Sequence, residues 1–450
     1  MPNRTLRRRR PDAARTLAWR VLRAVTGDGA YANLELGQRL AEAGLEALDA
    51  AFVTELVSGT CRLQGTYDRI IASASGRPAA ALQPELLDVL RLGVHQVLST
   101  RVPARAAVDT TVDLAGAVVG EKVVGLANAV LRRVAARDLA GWVAELSRGE
   151  DAVGALATRT HHPRWIAEAF VDLLGAAEAE DALAADNVPP VTTLAVRPGR
   201  GSRAELGGEA SRYSPFGAYR AGHPGDLPAV RAGRAGVQDE GSQLVAWALT
   251  RPDAPAAPWL DLCAGPGGKA ALLAGLAIEQ GQRLLAVELQ EHRARLVRQG
   301  LRAYAGDPLA PAVVCADGTR PAWRPAAFGR VLADVPCTGL GALRRRPEAR
   351  WRRRPGDVDA LVPLQRALLA TALDAAAPGG LVAYVTCSPH RRETVEVVDA
   401  VLAAGRRPVE RLRAADALPG VPDCALGDDV QLWPHRHGTD AMYLALLRVR

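Results

Sequence analysis

Lysine is nearly missing from this chain. Lys122 and Lys269 are the only two, so almost all of its positive charge is arginine. Long apolar runs are missing as well: none reaches the roughly 18 residues that a membrane span needs, which excludes a helical membrane protein. The six cysteines form neither C-x-x-C pairs nor the spacing of a disulfide framework. Reduced thiols and a cytoplasmic location are expected. The opening stretch MPNRTLRRRRPDAAR is basic but has no apolar core behind it, so it does not read as a secretory signal. Internal repeats are absent too.

What is present suits a sizeable globular chain. Its 450 residues are 48% hydrophobic and 23% charged, enough for about two to four domains. The formal charge of +7 and sequence pI ≈ 9.4 favour an anionic partner, nucleic acid first. A coding bias toward arginine would leave the same mark, so charge alone does not decide the matter.

The hydrophobic pattern changes twice along the chain. Residues 1–150 read as helices: Leu17, Val21, Leu22 and Val25 fall at helical spacing, as do Leu86, Leu90, Val94 and Val97. Residues 151–235 read as a small α+β unit, with two helices (His162 to Leu174, Ala176 to Asp186) and one strand, VTTLAVRP, before a Gly/Pro-rich stretch. Residues 236–450 alternate strand and helix. Apolar strands are expected at 259–263, 283–289, 312–317, 330–335 and 381–387, the signature of a doubly wound, mostly parallel sheet. The tail, LWPHRHGTDAMYLALLRVR, reads as two strands joined by a polar loop, closing an edge of that sheet.

Ligands of such sheets bind beyond the carboxyl ends of the strands. The first strand is followed by Cys263, Ala264, Gly265, Pro266, Gly267, Gly268 and Lys269. The glycines allow a tight turn and a close backbone approach to a ligand at a helix start. The pattern is not a phosphate-cradling loop, since Ala270 follows the lysine. It does fit G-x-G-x-x-A, which leaves a nicotinamide oxidoreductase formally open. Glu288 ends the second strand, where an acid accepts from ribose hydroxyls, and Asp317 ends the third, placed to meet an adenine edge. These stations together suit an adenosine-bearing cofactor.

The fourth strand runs into Asp334, Pro336 and Cys337, and the fifth ends on Cys387. A buried cysteine is most often an inert small hydrophobe. Two of them finishing neighbouring strands beside an acid fit a different task. A thiolate adding to C6 of a pyrimidine makes C5 nucleophilic enough to take a methyl group. Asp334 would hold the ring's N3 or amino edge. Between the cysteines lies ALRRRPEARWRRRP (342–355), where arginines would neutralise phosphates and Trp351 would offer a stacking face to an unpaired base. His435 and His437 have no further ligands at useful spacing, so no metal is expected.

At these motifs the chain resembles the Sun/Fmu-type (RsmB) ribosomal RNA cytosine-5 methyltransferases. VQDEGSQLVA (237–246), DLCAGPGGKA, DVPCTGLGALRRRPEARW, the TCS of 386–388 and PHRHGTDAMYLA (434–445) follow the order of that family's catalytic motifs. FVTELVSGTCRLQGTYDRII, LRLGVHQVL and GLANAVLRR in the front third are similar to a NusB-type RNA-binding domain. The resemblance implies an all-α NusB-like domain (1–150), a small α+β middle domain (151–235) and a Rossmann-like class I methyltransferase domain (236–450). By the same resemblance Cys387 is the nucleophile and Cys337 assists product release, the reverse of the DNA enzymes, whose nucleophile is the Pro-Cys cysteine. S-adenosylmethionine would be held by the 263–269 loop with Glu288, Arg293, Asp317 and Asp334. The implied substrate is a cytosine in the head of small-subunit ribosomal RNA, near the P site, and the implied state a monomer. The chain departs from the family at Glu288, commonly aspartate, and at Arg391, Arg392, Glu393 and Thr394, where Pro-Glu-Glu-Asn is usual and only Glu393 matches. Alternatives are a non-catalytic NusB-like RNA-binding factor and methylation of another RNA such as tRNA.

Overall fold

The computed structural model describes residues 12–450, so the basic segment 1–11 lies outside the described residues. Internal contacts divide the chain into a helical unit, running to Asn187 and including Arg345–Arg353, and a sheet unit made of Val188–Arg344 and Arg354–Arg450.

The helical unit begins with α1 (Ala13–Gly27), α2 (Ala32–Ala43), α3 (Ala47–Ser75), α4 (Pro84–Ser99) and α5 (Ala104–Val118). It continues through α6 (Val124–Val134), α7 (Leu139–Leu146), α8 (Ala152–Arg159) and α9 (Arg164–Ala185). Asp12 caps α1 by accepting from the Arg15 N–H at 2.9 Å. The α1 residues at helical spacing, among them Val21, Leu22 and Val25, are buried with the Leu86–Val94 face of α4. α9 is interrupted at Gly175, whose φ of 74° only glycine adopts cheaply. The two helices read on either side of that glycine are therefore real.

The sheet unit starts with β1 (Thr193–Val196), β2 (Glu209–Ala210), β3 (Gly217–Tyr219), α10 (Pro228–Arg231) and β4 (Ala235–Val237). The strands form a small antiparallel sheet in the order β2-β3-β1-β4. The stretch 151–235, expected as one small unit, is thus shared: its helices belong to the helical unit and its sheet to the sheet unit. Next come α11 (Glu240–Ala248), β5 (Trp259–Asp261), α12 (Gly268–Glu279), β6 (Leu284–Glu288), α13 (Glu291–Leu301), β7 (Ala312–Cys315) and β8 (Phe328–Asp334). The chain then makes α14 (Ala349–Arg352), inside the segment that belongs to the helical unit, and returns as α15 (Pro355–Ala375) and β9 (Ala376–Thr386). It finishes with α16 (Val395–Ala403), β10 (Val409–Leu412), β11 (Ala425–Leu426), β12 (Asp429–Gln431), α17 (Pro434–His437) and β13 (Tyr443–Val449).

The large sheet runs β11-β12-β13-β9-β8-β5-β6-β7, with β10 also on β13. β9, β8, β5, β6 and β7 are parallel to one another, as the apolar runs predicted. Strand order reverses between β5 and β8, the switch point where a ligand crevice opens. The tail differs from expectation. Two strands, β12 and β13, are joined by the polar loop, which holds a helical turn at Pro434–His437, but β13 lies inside the sheet and not at its edge, antiparallel to β9 on one side and to β10 and β12 on the other. Among the described residues no helix is long and apolar enough to cross a membrane.

The arginine run between the cysteines also differs from expectation. Arg350 is fully buried in the helical unit, where its guanidinium donates to the carbonyls of Arg62 and His161 and to Asn187 Oδ1. Arg352 donates to the carbonyls of Val25 and Gly29. The Trp351 indole N–H donates to the Cys61 carbonyl at 2.8 Å. Its ring covers Gly65 so closely that a Cβ there would lie 2.1 Å from it. An indole packed this way costs about 3 kcal/mol or more to pull out. Arg350 and the half-buried Trp351 are therefore anchored in the helical unit. Arg345 and Arg346 in the same run are exposed.

Candidate active site

β5 delivers Asp261 to the switch point, and the loop after it is pinned from two sides. The Leu262 N–H donates to Leu332 of β8 at 2.9 Å and the Ala264 N–H to Val287 of β6 at 2.8 Å. Glu288 then clasps the loop: its Oε2 accepts from the Gly265 N–H at 3.0 Å and its Oε1 from the Gln290 N–H at 3.0 Å. Arg293, on the first turns of α13, donates to the Gly265 carbonyl at 2.6 Å and lies 3.7 Å from Glu288. A Cβ at Gly265 would sit 2.1 Å from Glu288 Oε2, so glycine is required by this close approach. Gly267 carries φ 112°, and a Cβ there would touch the backbone of α13 at Val297, 3.0 Å away.

Asp317 follows β7 by two residues and closes a turn, accepting from the Thr319 hydroxyl at 2.7 Å and N–H at 2.9 Å. These bonds hold its carboxyl below the usual range. The turn abuts the first loop, since a Cβ at Gly318 would lie 3.1 Å from the Leu262 carbonyl oxygen. Cys263 is half-buried among acids, and desolvation first of all pushes its thiol well above its ordinary pKa. It contributes an inert side chain to the loop.

The two cysteines meet. Cys337 Sγ and Cys387 Sγ are 3.4 Å apart, because Asp334 of β8 pairs with Val385 of β9 and each cysteine follows within a few residues. Beside them the Lys269 ammonium donates to Asp334 at 2.9 Å and to Ser242 at 3.2 Å. Burial works against the charge on Lys269, but Asp334 more than offsets it and holds the ammonium above its ordinary range. The thiols are driven apart in pKa. A hydrogen bond from Cys337 lowers Cys387, with Lys269 pulling the same way, while the donated bond and then burial raise Cys337, with Glu393 adding to the rise. The shifts make Cys387 the more readily ionised of the two thiols.

Several polar groups here had no role in the sequence reading. Asp261 is buried with neither carboxylate oxygen hydrogen-bonded, and burial, then Asp334, pushes its pKa to about 8. The Gln238 amide is buried with oxygen and nitrogen both unpartnered beside Gly268. Ser242 reaches Lys269 from α11. The signal was the VQDEGSQ motif, which places Gln238 and Ser242 around the cap of that helix. The PHRHGTDA motif is a frame: Arg344 donates to the Gly438 carbonyl at 2.9 Å and lies 3.8 Å from both Asp239 and Asp440. His437 accepts from the Trp433 N–H and bonds the Pro422 carbonyl, which is a structural role.

Residues 248–448 match the model of the 16S rRNA methyltransferase RsmB/F family, and residues 12–136 that of the NusB family. The ribosomal RNA small subunit methyltransferase B of Pseudomonas putida is 34% identical over 405 residues, covering 86% of this chain and 88% of that one. The chain belongs to the RsmB/F family. A methyltransferase-family protein of Mycobacterium tuberculosis is 51% identical over 454 residues, 98% of each chain. In fold, the crystal structure of PH0851 matches with a TM-score of 0.79 at 21% identity, covering 98% of this chain and 99% of that one. This RsmB/F protein is an S-adenosylmethionine-dependent RNA methyltransferase with a helical NusB domain and a Rossmann-like methyltransferase domain. The unpartnered Asp261 and Gln238 groups around the glycine loop fit a polar, adenosine-bearing cofactor, since buried polar groups otherwise find partners.

Proposed function

We propose that this RsmB/F protein methylates C5 of a cytosine in small-subunit ribosomal RNA through a covalent bond between Cys387 and C6 of the base. The observation that carries the reading is the 3.4 Å approach of the two cysteines next to the Lys269–Asp334 pair. S-adenosylmethionine would be held by residues 263–269 with Glu288, Arg293, Asp317 and Asp334 and would supply an electrophilic methyl group. The Cys387 thiolate forms the S–C6 bond as the C5–C6 double bond opens, Asp334 accepts from the base's amino group, and the Lys269 ammonium beside it offsets the negative charge that develops on the ring. C5 would take that methyl group as the cofactor's sulfonium–methyl bond breaks, leaving S-adenosylhomocysteine. The C5 proton then passes to water, the C5–H pair restores the double bond, and the S–C6 bond breaks. The departing thiolate is received by a hydrogen bond from Cys337. Exposed arginines such as Arg345 and Arg346, with the NusB domain, supply phosphate contacts.

Comparing 5-methylcytosine across ribosomal RNA from cells with and without the protein tests this reading. One small-subunit cytosine is expected to lose its methyl group. A map unchanged in ribosomal RNA but altered in tRNA would contradict it.

The cofactor site has its own test. Glu288→Ala removes the acceptor for ribose hydroxyls and the clasp on Gly265, and Gly265→Ala forces a methyl against that carboxylate. Each is expected to weaken S-adenosylmethionine binding about 10- to 100-fold by calorimetry, the scale of hydrogen bonds to a charged group. Gly267 is the poorer probe, since its Cβ would strike α13 rather than a ligand. Undiminished affinity in both variants would remove the loop from the site.

A further inference from the structure

The run after Cys387 keeps one residue of the family pattern, Glu393, and the structure gives that residue a task. Glu393 is fully buried, and its carboxylate accepts four hydrogen bonds. Oε1 takes the Thr338 N–H at 2.8 Å and the Gln365 amide at 3.0 Å. Oε2 takes the Ser388 hydroxyl at 2.7 Å and the Thr338 hydroxyl. Thr338 directly follows Cys337, and Ser388 directly follows Cys387. Gln365, on α15, also donates to the Pro336 carbonyl at 2.9 Å, so the turn carrying Cys337 is held from both of its sides. The glutamate is itself fixed, because the Tyr384 hydroxyl donates to its carbonyl at 2.8 Å and its N–H bonds His390.

We infer that Glu393 is the positioning residue that sets the distance between the two cysteines, by tying the residue after each of them to one carboxylate. The inference rests on the cysteine-based reading above for its catalytic consequence, but its geometric content is independent of it. Two loops leaving neighbouring strands have no covalent reason to hold their thiols within 3.4 Å. A carboxylate has four acceptor sites and no donor, so it gathers four donors from three segments around one point.

Glu393→Gln and Glu393→Ala separate position from charge. Glutamine keeps one acceptor oxygen for the Thr338 N–H and Gln365, and its amide donates to the Ser388 and Thr338 hydroxyls, which rotate to accept. The full-length variants are compared in three measurements: kcat at saturating RNA, S-adenosylmethionine affinity, and the rate at which the azo oxidant diamide converts Cys337 and Cys387 to a disulfide, read by peptide mapping. Glu393→Ala is expected to lose at least 30-fold in both kcat and disulfide rate with cofactor affinity within threefold of the parent. Glu393→Gln is expected to stay within about threefold in all three. If Glu393→Ala does not fold, Thr338→Val, which keeps the backbone bond and loses the hydroxyl, is expected to show a smaller fall in both rates.

A parental disulfide rate in Glu393→Ala, or in Thr338→Val where only that variant folds, overturns the inference. So does equal loss of cofactor affinity and kcat, which would mark a general structural role, and so does a glutamine variant as impaired as alanine. A disulfide rate that falls while kcat holds leaves the positioning intact and removes instead the catalytic role of the pair.

Discussion

Cys387→Ala is expected to reduce methyl transfer by at least about 10⁴-fold, the scale on which losing a covalent nucleophile tells in other enzymes, while S-adenosylmethionine affinity stays within about threefold. Cys387 is the side whose thiol is lowered in pKa, first by the bond from Cys337 and further by Lys269, whereas Cys337 is raised. Only the thiolate attacks. The rate should therefore climb with pH through the pKa of Cys387, and its acidic limb should lie below the ordinary thiol range. Lys269→Met removes a charge that favours the thiolate, so the limb should move to higher pH as well as lower the maximum. Single-turnover rates with labelled cofactor across a pH series check both points. Parental turnover by Cys387→Ala would remove the nucleophile assignment.

The parts of this molecule written in local pattern were legible in its sequence. The five parallel strands are apolar runs bounded by turn residues, and the helix-loop-helix of 162–186 is marked by Gly175. The place of Glu288, an acid ending the second strand beside the glycine loop, was readable by topology alone, but its bond to the Gly265 N–H was not. The burial of Arg350 was not readable. Its carbonyl partners come from Arg62, His161 and Asp186, and an arginine run looks solvated until those distant segments converge. The interior place of β13 was hidden for the same reason, since antiparallel pairing with β9, β10 and β12 is non-local. β3 and β4 are three-residue strands in Gly/Pro-rich surroundings, too short for any period to register. Glu393 looked like the remnant of an altered motif, because its partners lie on three separate segments.

The second large effect separates the two thiols. With Cys387 bonded to C6, completion requires the thiolate to leave, and the S–H of Cys337, 3.4 Å away, is the donor placed to receive it. Removing that donor also raises the pKa of Cys387, which slows attack, but Lys269 remains to favour the thiolate. Release, by contrast, loses its only neighbouring thiol among the described residues. Cys337→Ala is therefore expected to methylate once and then stall as a covalent protein–RNA complex, and the double variant with Cys387→Ala should form none.

Denaturing electrophoresis with labelled target RNA and S-adenosylmethionine reads this directly. The expected result is a slow-migrating protein–RNA band that is strong in Cys337→Ala, faint in the parent, and absent from Cys387→Ala and from the double variant. A band that appears with Cys387→Ala and vanishes with Cys337→Ala would reverse the two roles and contradict the account.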